Sequence, residues 1–304
     1  MAAPLLAELC DLIARHVVES GAPLAALPNI VLGLETGATL PCIHVAEPVF
    51  SLIAQGTKQI EVGDRTLTYG PGEGMAVSIE LPMNTFVIDA SREKPFLGVG
   101  LRIRPEAVAA LLLEQPGGGL PPDPAGIVVG TMPEALIEAV IRLLRLLDHP
   151  ADLAVLGPAM EREILWRLLG TPAGAVLRQI GLADSHTTRI GQALQWLRHH
   201  LAEPVRVSDL AAMAGMSATS FHRHFRALTA MTPVQYQKQL RLHAARARLM
   251  ASAESVTRVA FAVGYESPSQ FSREYRRQYG QPPARDGRLC RQQGPGSASF
   301  KPSV

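Results

Sequence analysis

The fold is decided by VSDLAAMAGMSATSFHRHFRALTAMTP, residues Val207–Pro233, and by a second copy of the same pattern, VTRVAFAVGYESPSQFSREYRRQYGQPP, residues Val256–Pro283. Gly215 matches Gly264 at an offset of 49. After one extra residue in the second copy, Arg223 matches Arg273 at an offset of 50. Each copy has a short apolar helix, a glycine turn and a second helix rich in Ser, Gln, His and Arg, which predicts a helix-turn-helix. We call the two copies the first unit and the second unit.

The second helix of each unit has two predicted faces. Phe221 and Phe225 are four residues apart, as are Phe271 and Tyr275, so each pair lies on one face and anchors its helix to the core. The opposite face is left for DNA, because Arg can bind guanine, Gln can bind adenine, and Ser or His can bind bases or phosphates. The residues predicted to contact DNA are Thr219, His222, Arg223 and Arg226 in the first unit, and Ser269, Gln270, Ser272, Arg273 and Arg276 in the second.

Residues 233–250, PVQYQKQLRLHAARARLM, are predicted to form one uninterrupted helix between the units. Its length of about 27 Å is close to the ~34 Å that separates major grooves on one face of DNA. Four apolar residues are predicted to pack on both units: Val234, Leu240, Leu242 and Leu249. Three arginines are predicted to be partly solvated and partly near phosphates: Arg241, Arg246 and Arg248.

Charge is distributed unevenly along the chain. Residues 1–185 contain 12 Lys and Arg against 21 Asp and Glu, whereas residues 186–304 contain 17 against 6. A basic half beside an acidic half indicates a polyanion-binding domain joined to a domain of another kind. The cysteines Cys10, Cys42 and Cys290 lack the spacing of a zinc site, and no apolar run reaches about 18 residues. We therefore expect a reduced, soluble and intracellular protein without membrane association.

The first half has a different texture. Between residues 30 and 103, short β-branched or apolar runs alternate with glycine turns, which predicts a small antiparallel barrel or sandwich. Helical periodicity predicts helices over 5–19, 105–114, 133–147 and 152–169. The last two helices either cover the barrel or form a dimer interface. The predicted domains are residues 1–183 and 184–290, followed by a disordered tail over 291–304.

The run FHRHFRALTAMTPVQYQKQLRLHAARARLM followed by AFAVGYESPSQFSREYRRQYGQPPARD closely resembles the C-terminal domain of AraC/XylS-type transcription regulators. The resemblance spans residues 185–286. It implies that the positions Thr219, His222 and Arg223, and Ser269, Ser272 and Arg273, approach the bases. One departure is Ala230, where such proteins often have the Gly that ends the recognition helix. The resemblance also implies an activator, which we expect to work with RNA polymerase in the bacterial cytoplasm, associated with the nucleoid. We expect a homodimer formed through the helices between Pro133 and Leu169, because a dimer doubles the DNA contact area.

The segment LPCIHVAEPVFSLIAQGTKQIEVGDRTLTYGPGEGMAVSIELPMN resembles, less specifically, the cupin-like N-terminal domain of one AraC subgroup through its QGTK, YGPG and SIELP turns. This resemblance implies an effector-binding domain over residues 20–180. The predicted effector-pocket residues are Cys42, His44, Phe50, Gln55, Lys58 and Tyr69. His44 is the only histidine of the strand-rich region, so we expect no metal, cofactor or catalytic site. Cys42 is either a small core residue or a thiol that senses an electrophile.

The predicted fold class is α+β, with a cupin-like barrel and flanking helices followed by two helix-turn-helix subdomains joined by a linker helix. The predicted function is that of a ligand-responsive transcription factor, not an enzyme, which binds double-stranded DNA and an unidentified small-molecule effector. Two alternatives stay open: an effector-independent architectural DNA binder whose first half only dimerises, and a cupin-type enzyme with an incidental basic domain. Because the two units present different side chains, we expect the DNA target of each protomer to be asymmetric.

Overall fold

A computed structural model describes residues 2–17, 23–114, 125–181, 186–252 and 254–293 of the 304-residue chain. Side chains are described in these ranges except at 2, 23, 42, 43, 186 and 290–293. The strands are β1 (Pro23–Leu24), β2 (Leu27–Glu35), β3 (Cys42–Ala46), β4 (Val49–Gln55), β5 (Thr57–Val62), β6 (Arg65–Tyr69), β7 (Glu73–Val77), β8 (Leu81–Asp89), β9 (Phe96–Arg102) and β10 (Ile127–Thr131).

The strands form two antiparallel sheets that pack face to face. One sheet has the order β1-β2-β9-β4-β7-β10, and the other has the order β3-β8-β5-β6. In β5 the burial alternates along the strand, so that Ile60 and Val62 point inward between polar neighbours that point outward. Inward residues of both sheets, such as Ile53 and Met83, belong to one apolar core. We call these two sheets together the β domain.

The helices flank the sheets and then form the whole second half of the described chain. They are α1 (Ala2–His16), α2 (Pro105–Glu114), α3 (Glu134–Arg145), α4 (Pro150–Leu169), α5 (Gly174–Gly181), α6 (His186–His199), α7 (Val207–Met213), α8 (Ala218–Thr229), α9 (Pro233–Ala251), α10 (Val256–Ala262), α11 (Pro268–Tyr279) and α12 (Pro283–Gln293). The first unit therefore contains α7 and α8, the second unit contains α10 and α11, and α9 joins them.

Three apolar cores hold these elements together. The first lies between the outer face of the six-stranded sheet and α1, α3 and α4, where Phe50 meets residues such as Leu144. The second fills the space between the sheets and continues without interruption into the first unit, so that Ile60 of β5 and Phe225 of α8 belong to the same cluster. The third belongs to the second unit and includes Phe271. The two units thus differ in how they are packed.

The predicted α+β class, with a β domain followed by an all-helical domain, is confirmed. The predicted helix over 105–114 has those bounds, and the linker helix ends one residue later than expected. Five elements were not predicted: β1, β10, α5, α6 and α12. Because α12 extends through Gln293, the predicted tail begins too early at residue 291, and residues 294–304 lie outside the described residues.

Candidate nucleic-acid interface

The glycine turns of the two units have the predicted geometry. Gly215 has a φ of 62° and Gly264 has a φ of 85°, both in the left-handed region that favours glycine. The amide of the next residue donates back to the small residue in each first helix, from Met216 to the carbonyl of Ala211 and from Tyr265 to the carbonyl of Ala260. The prediction that one turn geometry is used twice is therefore confirmed.

The two recognition helices, α8 and α11, begin and end in the same way. Ser217 caps α8 by accepting from the amide of Ser220, and Ser267 caps α11 by accepting from the amide of Gln270. Each helix has 12 residues and ends at a left-handed residue, which is Gly280 in the second unit. In the first unit that residue is Ala230, with a φ of 56°, so its departure from glycine does not change the cap conformation.

The faces of α8 and α11 are divided as the sequence predicts. Phe221, Phe225, Phe271 and Tyr275 are fully buried. Eight of the predicted DNA-contacting residues are exposed and one, Ser272, is half-buried. The exposed eight are Thr219, His222, Arg223, Arg226, Ser269, Gln270, Arg273 and Arg276. The arrangement places Arg223 and Arg273 at equivalent positions on two solvent-facing helices, which suits bidentate contact with guanine.

The arginines of α9 make internal contacts, although Arg248 is also exposed, in agreement with its predicted partial solvation. Their proximity to phosphates stays a prediction. Arg241 donates to the backbone carbonyls of Leu201, Glu203 and Gly264, and burial lowers its pKa. Arg246 pairs with Asp286, and Arg248 pairs with Glu254 at 3.3 Å. These three guanidinium groups therefore tie the linker helix to its surroundings.

The apolar residues of α9 divide between the two units. Leu240 lies in the core that the first unit shares with the β domain, whereas Leu242 and Leu249 lie in the core of the second unit. Val234 is 66% exposed, so the prediction that it packs on the units was wrong. It lies in the first turn of α9, next to the capping box formed by Thr232 and Gln235.

Polar contacts that the sequence did not reveal join α6, α8 and the start of α9 to the β domain. The Tyr236 hydroxyl donates to the carbonyl oxygen of Glu80 at 2.9 Å, and the Arg198 guanidinium donates to the Glu80 carboxylate at 2.9 Å. The amide of Gly126 donates to the carbonyl of Leu228 at 3.2 Å. Burial raises the pKa of Tyr236, so its hydroxyl stays protonated and can donate.

The backbones of the two domains also approach closely. A Cβ atom at Gly126 would lie 2.4 Å from the carbonyl oxygen of Leu228, and one at Gly63 would lie 2.3 Å from the carbonyl oxygen of Ala230. Neither position has space for a larger residue while α8 remains where it is. The C-terminal end of the first recognition helix thus lies directly against the β5–β6 turn and the start of β10.

The predicted effector residues occupy three different environments. His44, Lys58 and Tyr69 are buried, and their strand partners Met83 and Val87 belong to the core between the sheets, so all three face the interior. Burial raises the pKa of Tyr69 to about 12, although its hydroxyl lies 3.0 Å from the Ser51 hydroxyl. A small group of polar side chains therefore lies inside an otherwise apolar β domain.

The remaining effector candidates lie elsewhere. Phe50 faces the helices in the first core, on the opposite side of its strand from Ser51, so it does not line the interior. Gln55 is half-buried at the end of β4 and donates to the carbonyl of Pro95 at 2.8 Å. The side chain of Cys42 lies outside the described residues, so the structure gives only its place in β3.

No group of three or more His, Cys, Asp and Glu side chains in the described residues could hold a metal ion. No helix in the same part of the chain is long and apolar enough to cross a membrane.

A β domain packed against the first of two helix-turn-helix units defines the class: a regulator with an N-terminal regulatory domain and a C-terminal DNA-binding domain. The family model described as "AraC-type transcriptional regulator N-terminus" matches residues 26–176, and that described as "Helix-turn-helix domain" matches residues 210–288. The chain belongs to the AraC/XylS family of transcription regulators.

Individual proteins show how far the similarity extends. The HTH-type transcriptional activator RhaS of Klebsiella pneumoniae (strain 342) is 36% identical over 122 residues, which are 39% of this chain and 42% of that protein. RhaS of Salmonella paratyphi A is 31% identical over 149 residues, 48% of this chain and 52% of that protein. The chain thus spans about half of these activators or less. The crystal structure of ToxT from Vibrio cholerae O395 shares the fold, with a TM-score of 0.51 at 8% identity over 86% of this chain and 98% of that chain.

Proposed function

We propose that this protein is a ligand-responsive, sequence-specific transcription activator that places α8 and α11 in two successive major grooves. The observation that carries this proposal is the duplicated exposed face, with Arg223 and Arg273 at equivalent positions on equally capped helices. The 19-residue α9 has a length of about 28 Å, close to one turn of DNA. The protein acts by binding, without catalysis, on promoters in the bacterial cytoplasm, where its partner is RNA polymerase.

Mapping of genomic binding sites followed by footprinting tests the proposed contacts. Arg223→Ala and Arg273→Ala are each expected to weaken specific binding by about 1–3 kcal/mol and to relax discrimination at a different base pair. Arg104→Ala, a change of equal charge at an exposed residue of the β domain, serves as the control. Wild-type footprints and wild-type discrimination by both unit variants would contradict the proposed orientation of α8 and α11.

We further propose that the interior of the β domain, a cupin-like site, binds the effector through His44, Lys58 and Tyr69. The support is the burial of three side chains that carry polar groups in the mainly apolar space between the two sheets. Genes beside the mapped binding sites would suggest compounds for a thermal-shift assay with the full chain. A binding compound should raise the unfolding temperature, and Lys58→Met should abolish that rise while Lys94→Met, a change at an exposed lysine, should not.

The outcome of that assay separates the proposed function from its alternative. If no compound stabilises the protein and DNA occupancy is unchanged by all of them, the chain is an effector-independent DNA binder. Such a result would leave the DNA-contact proposal intact, since that proposal depends on α8 and α11 alone.

We propose that the protein forms a homodimer through α4. Val155, Ala159, Arg162 and Trp166 follow one another at helical spacing on its exposed face, where Val155 is 75% and Trp166 is 44% exposed. A cavity of about 350 Å³ lined by Leu111, Ala159 and Trp166, among others, lies on the same face and is large enough to accept an apolar side chain of a second copy. One surface thus carries both an exposed apolar side chain, Val155, and the cavity that can accept such a side chain. Such a surface is self-complementary, as a two-fold interface requires.

Sedimentation velocity tests the dimer. Trp166→Glu is expected to shift the protein to monomer at concentrations where the wild type is dimeric. Ile88→Glu, at an exposed apolar residue of β8, should leave the wild-type distribution unchanged. A dimer that persists in both variants would place the interface elsewhere.

A further inference from the structure

A helix begins at the proline that follows each recognition helix, and the next three residues differ between the two copies. Pro233 matches Pro283 at an offset of 50, and at the same offset Tyr236 matches Asp286. Tyr236 is fully buried, and its hydroxyl bonds outside the unit to the β domain. Asp286 is only 7% exposed, and its contacts lie on α9 and α11.

Asp286 joins three helices through one carboxylate. From α12, its Oδ2 accepts from the Tyr275 hydroxyl of α11 at 2.7 Å and from Nε of Arg246 of α9 at 3.0 Å. The guanidinium carbon of Arg246 lies 4.6 Å from the ring centroid of Tyr279, which itself contacts the Tyr275 ring. The second recognition helix is thus connected to the linker helix by a charged, hydrogen-bonded group rather than by apolar contacts alone.

The protonation states of this cluster are fixed by its own members. Burial raises the pKa of Tyr275, and the hydrogen bond to Asp286 raises it further, so the hydroxyl remains a donor. Burial lowers the pKa of Arg246, but the charge and hydrogen bonds of Asp286 outweigh this and hold the pKa above its ordinary value. The two donors, Tyr275 and Arg246, therefore stay protonated across the physiological pH range.

The hydrogen bond to Tyr275 adds a directional restraint on α11. Apolar packing of Phe271 and Tyr275 is non-directional, whereas a hydrogen bond weakens steeply when its angle changes. Tyr275 lies between Arg273 and Arg276 in the helix, so a rotation of α11 that breaks this bond also displaces both guanidinium groups. A shift of the helix about its axis would change which base each arginine can contact.

We propose that Asp286 is a positioning residue for DNA recognition by the second unit, acting through Tyr275 and Arg246. This inference rests on the proposed function of α11 in the major groove. At the matching position Tyr236 of α9 bonds to the carbonyl of Glu80 in the β domain, and its ring packs edge-on against Phe225 of α8. The orientation of the first recognition helix, α8, therefore depends on contacts with the β domain. The orientation of the second, α11, depends on contacts with α12.

The test measures how strongly the full-length protein discriminates between its mapped DNA site and the same site with a substitution in one half. Asp286→Asn and Tyr275→Phe, which keeps the ring and removes only the hydroxyl, are each expected to reduce discrimination in the second half-site about fivefold. Discrimination in the first half-site should stay at the wild-type value. Combining the two substitutions should add little, because both break the same connection.

Tyr236→Phe is the matched control in the first unit, with the opposite pattern expected. Near-ultraviolet circular dichroism at the binding temperature checks that each variant is folded. If Asp286→Asn is unfolded, the discrimination measured for Tyr275→Phe tests the proposal instead. A purely stabilising role would lower the unfolding temperature without changing discrimination, and that result would overturn the proposal. If Arg273→Ala also left the second half-site unaffected, the proposed function of α11 itself would be the part that failed.

Discussion

The two helix-turn-helix units share a backbone but not an attachment. Both have a left-handed glycine in the turn, a serine N-cap and a 12-residue recognition helix with two buried aromatic residues. Yet the first unit belongs to the same apolar core as the β domain, whereas the second unit has a core of its own. The comparison shows that a duplicated unit can keep its DNA-facing geometry while its buried face acquires a different partner.

This difference suggests how a regulatory domain acts on DNA binding. A change inside the β domain is transmitted first to α8, because its C-terminal end lies against Gly63 and Gly126. The second unit is reached through α9, whose Leu240 and Leu242 lie in different cores. It is also reached through the α6–α7 connection, where Leu201 borders both cores and Ala202 lies against Gly264. We therefore expect the first unit to respond to the β domain and the second unit to contribute a constant part of the affinity.

The largest expected effect comes from removing one aromatic ring from each core. Phe225→Ala and Phe271→Ala should each destabilise their core by about 3–5 kcal/mol. Phe225→Ala should increase hydrogen exchange in both α8 and the strands of the β domain, because they share that core. Phe271→Ala should increase exchange in α10, α11 and the C-terminal half of α9, and not in the β domain. Equal effects of the two substitutions on β-domain exchange would remove the distinction between the units.

Adding one methyl group at the domain junction gives a sharper test with a smaller effect. Gly126→Ala should destabilise the contact between the β domain and the first unit by about 1–3 kcal/mol, because the new Cβ would meet the Leu228 carbonyl. Limited proteolysis should then cut near α8 faster than in the wild type. Gly191→Ala is the control, since its Cβ would have no neighbour within 4 Å. Unchanged proteolysis in Gly126→Ala would mean that α8 and the β domain are not in close contact at Gly126.

High pH should weaken both units, each through its own tyrosine. Burial raises the pKa of Tyr236 and of Tyr275 in the folded chain, whereas both ionise near 10 when unfolded. Their stabilising contribution is thus complete below pH of about 10 and falls above it by about 1.4 kcal/mol per pH unit for each group. Urea unfolding at several pH values should show a shallower alkaline loss in the first unit for Tyr236→Phe and in the second for Tyr275→Phe. An identical alkaline loss in wild type and variants would contradict the assignment.

The smallest effect is expected at the exposed ion pair of the junction. Arg226 and Asp64 lie 3.7 Å apart, and both side chains are 68% exposed, so solvent screens their attraction. Asp64→Ala should leave the free energy of unfolding within about 0.5 kcal/mol of the wild type. A loss several times larger would show that charge, rather than apolar packing, holds the first unit to the β domain.

The sequence predicted the parts of the fold that local periodicity encodes. The duplicated glycines, the aromatic pairs and the helix over 105–114 all follow from spacing within a short segment. The contacts of Tyr236 with Glu80 were not predictable in this way, because the partners are 156 residues apart and a carbonyl oxygen leaves no trace in the sequence. The sequence does place Asp286 opposite Tyr236, at the same offset of 50. The two matched segments end at Pro233 and Pro283, however, so comparing them does not reach Asp286.

The predicted binding residues also differ in how far their positions follow from local spacing in the sequence. The exposed faces of α8 and α11 followed from helical spacing, which also decided that the aromatic residues are buried. For the β domain, one sequence did not reveal which strand face looks inward, and Phe50 was therefore grouped with residues that lie on the opposite face. Arg241 and Arg246 bond to Leu201 and Asp286, each 40 residues away along the chain, so local spacing did not reveal these internal contacts.

Native-state hydrogen exchange of the full chain under increasing denaturant shows directly whether the first unit unfolds together with the β domain. If the first unit and the β domain form one cooperative body, amides of α8 and of β8 should merge onto one opening isotherm. Amides of α11 should follow a separate isotherm of lower free energy. The opposite result would be a common isotherm for amides of α8 and α11 that is separate from that of β8. It would contradict a shared core between the first unit and the β domain.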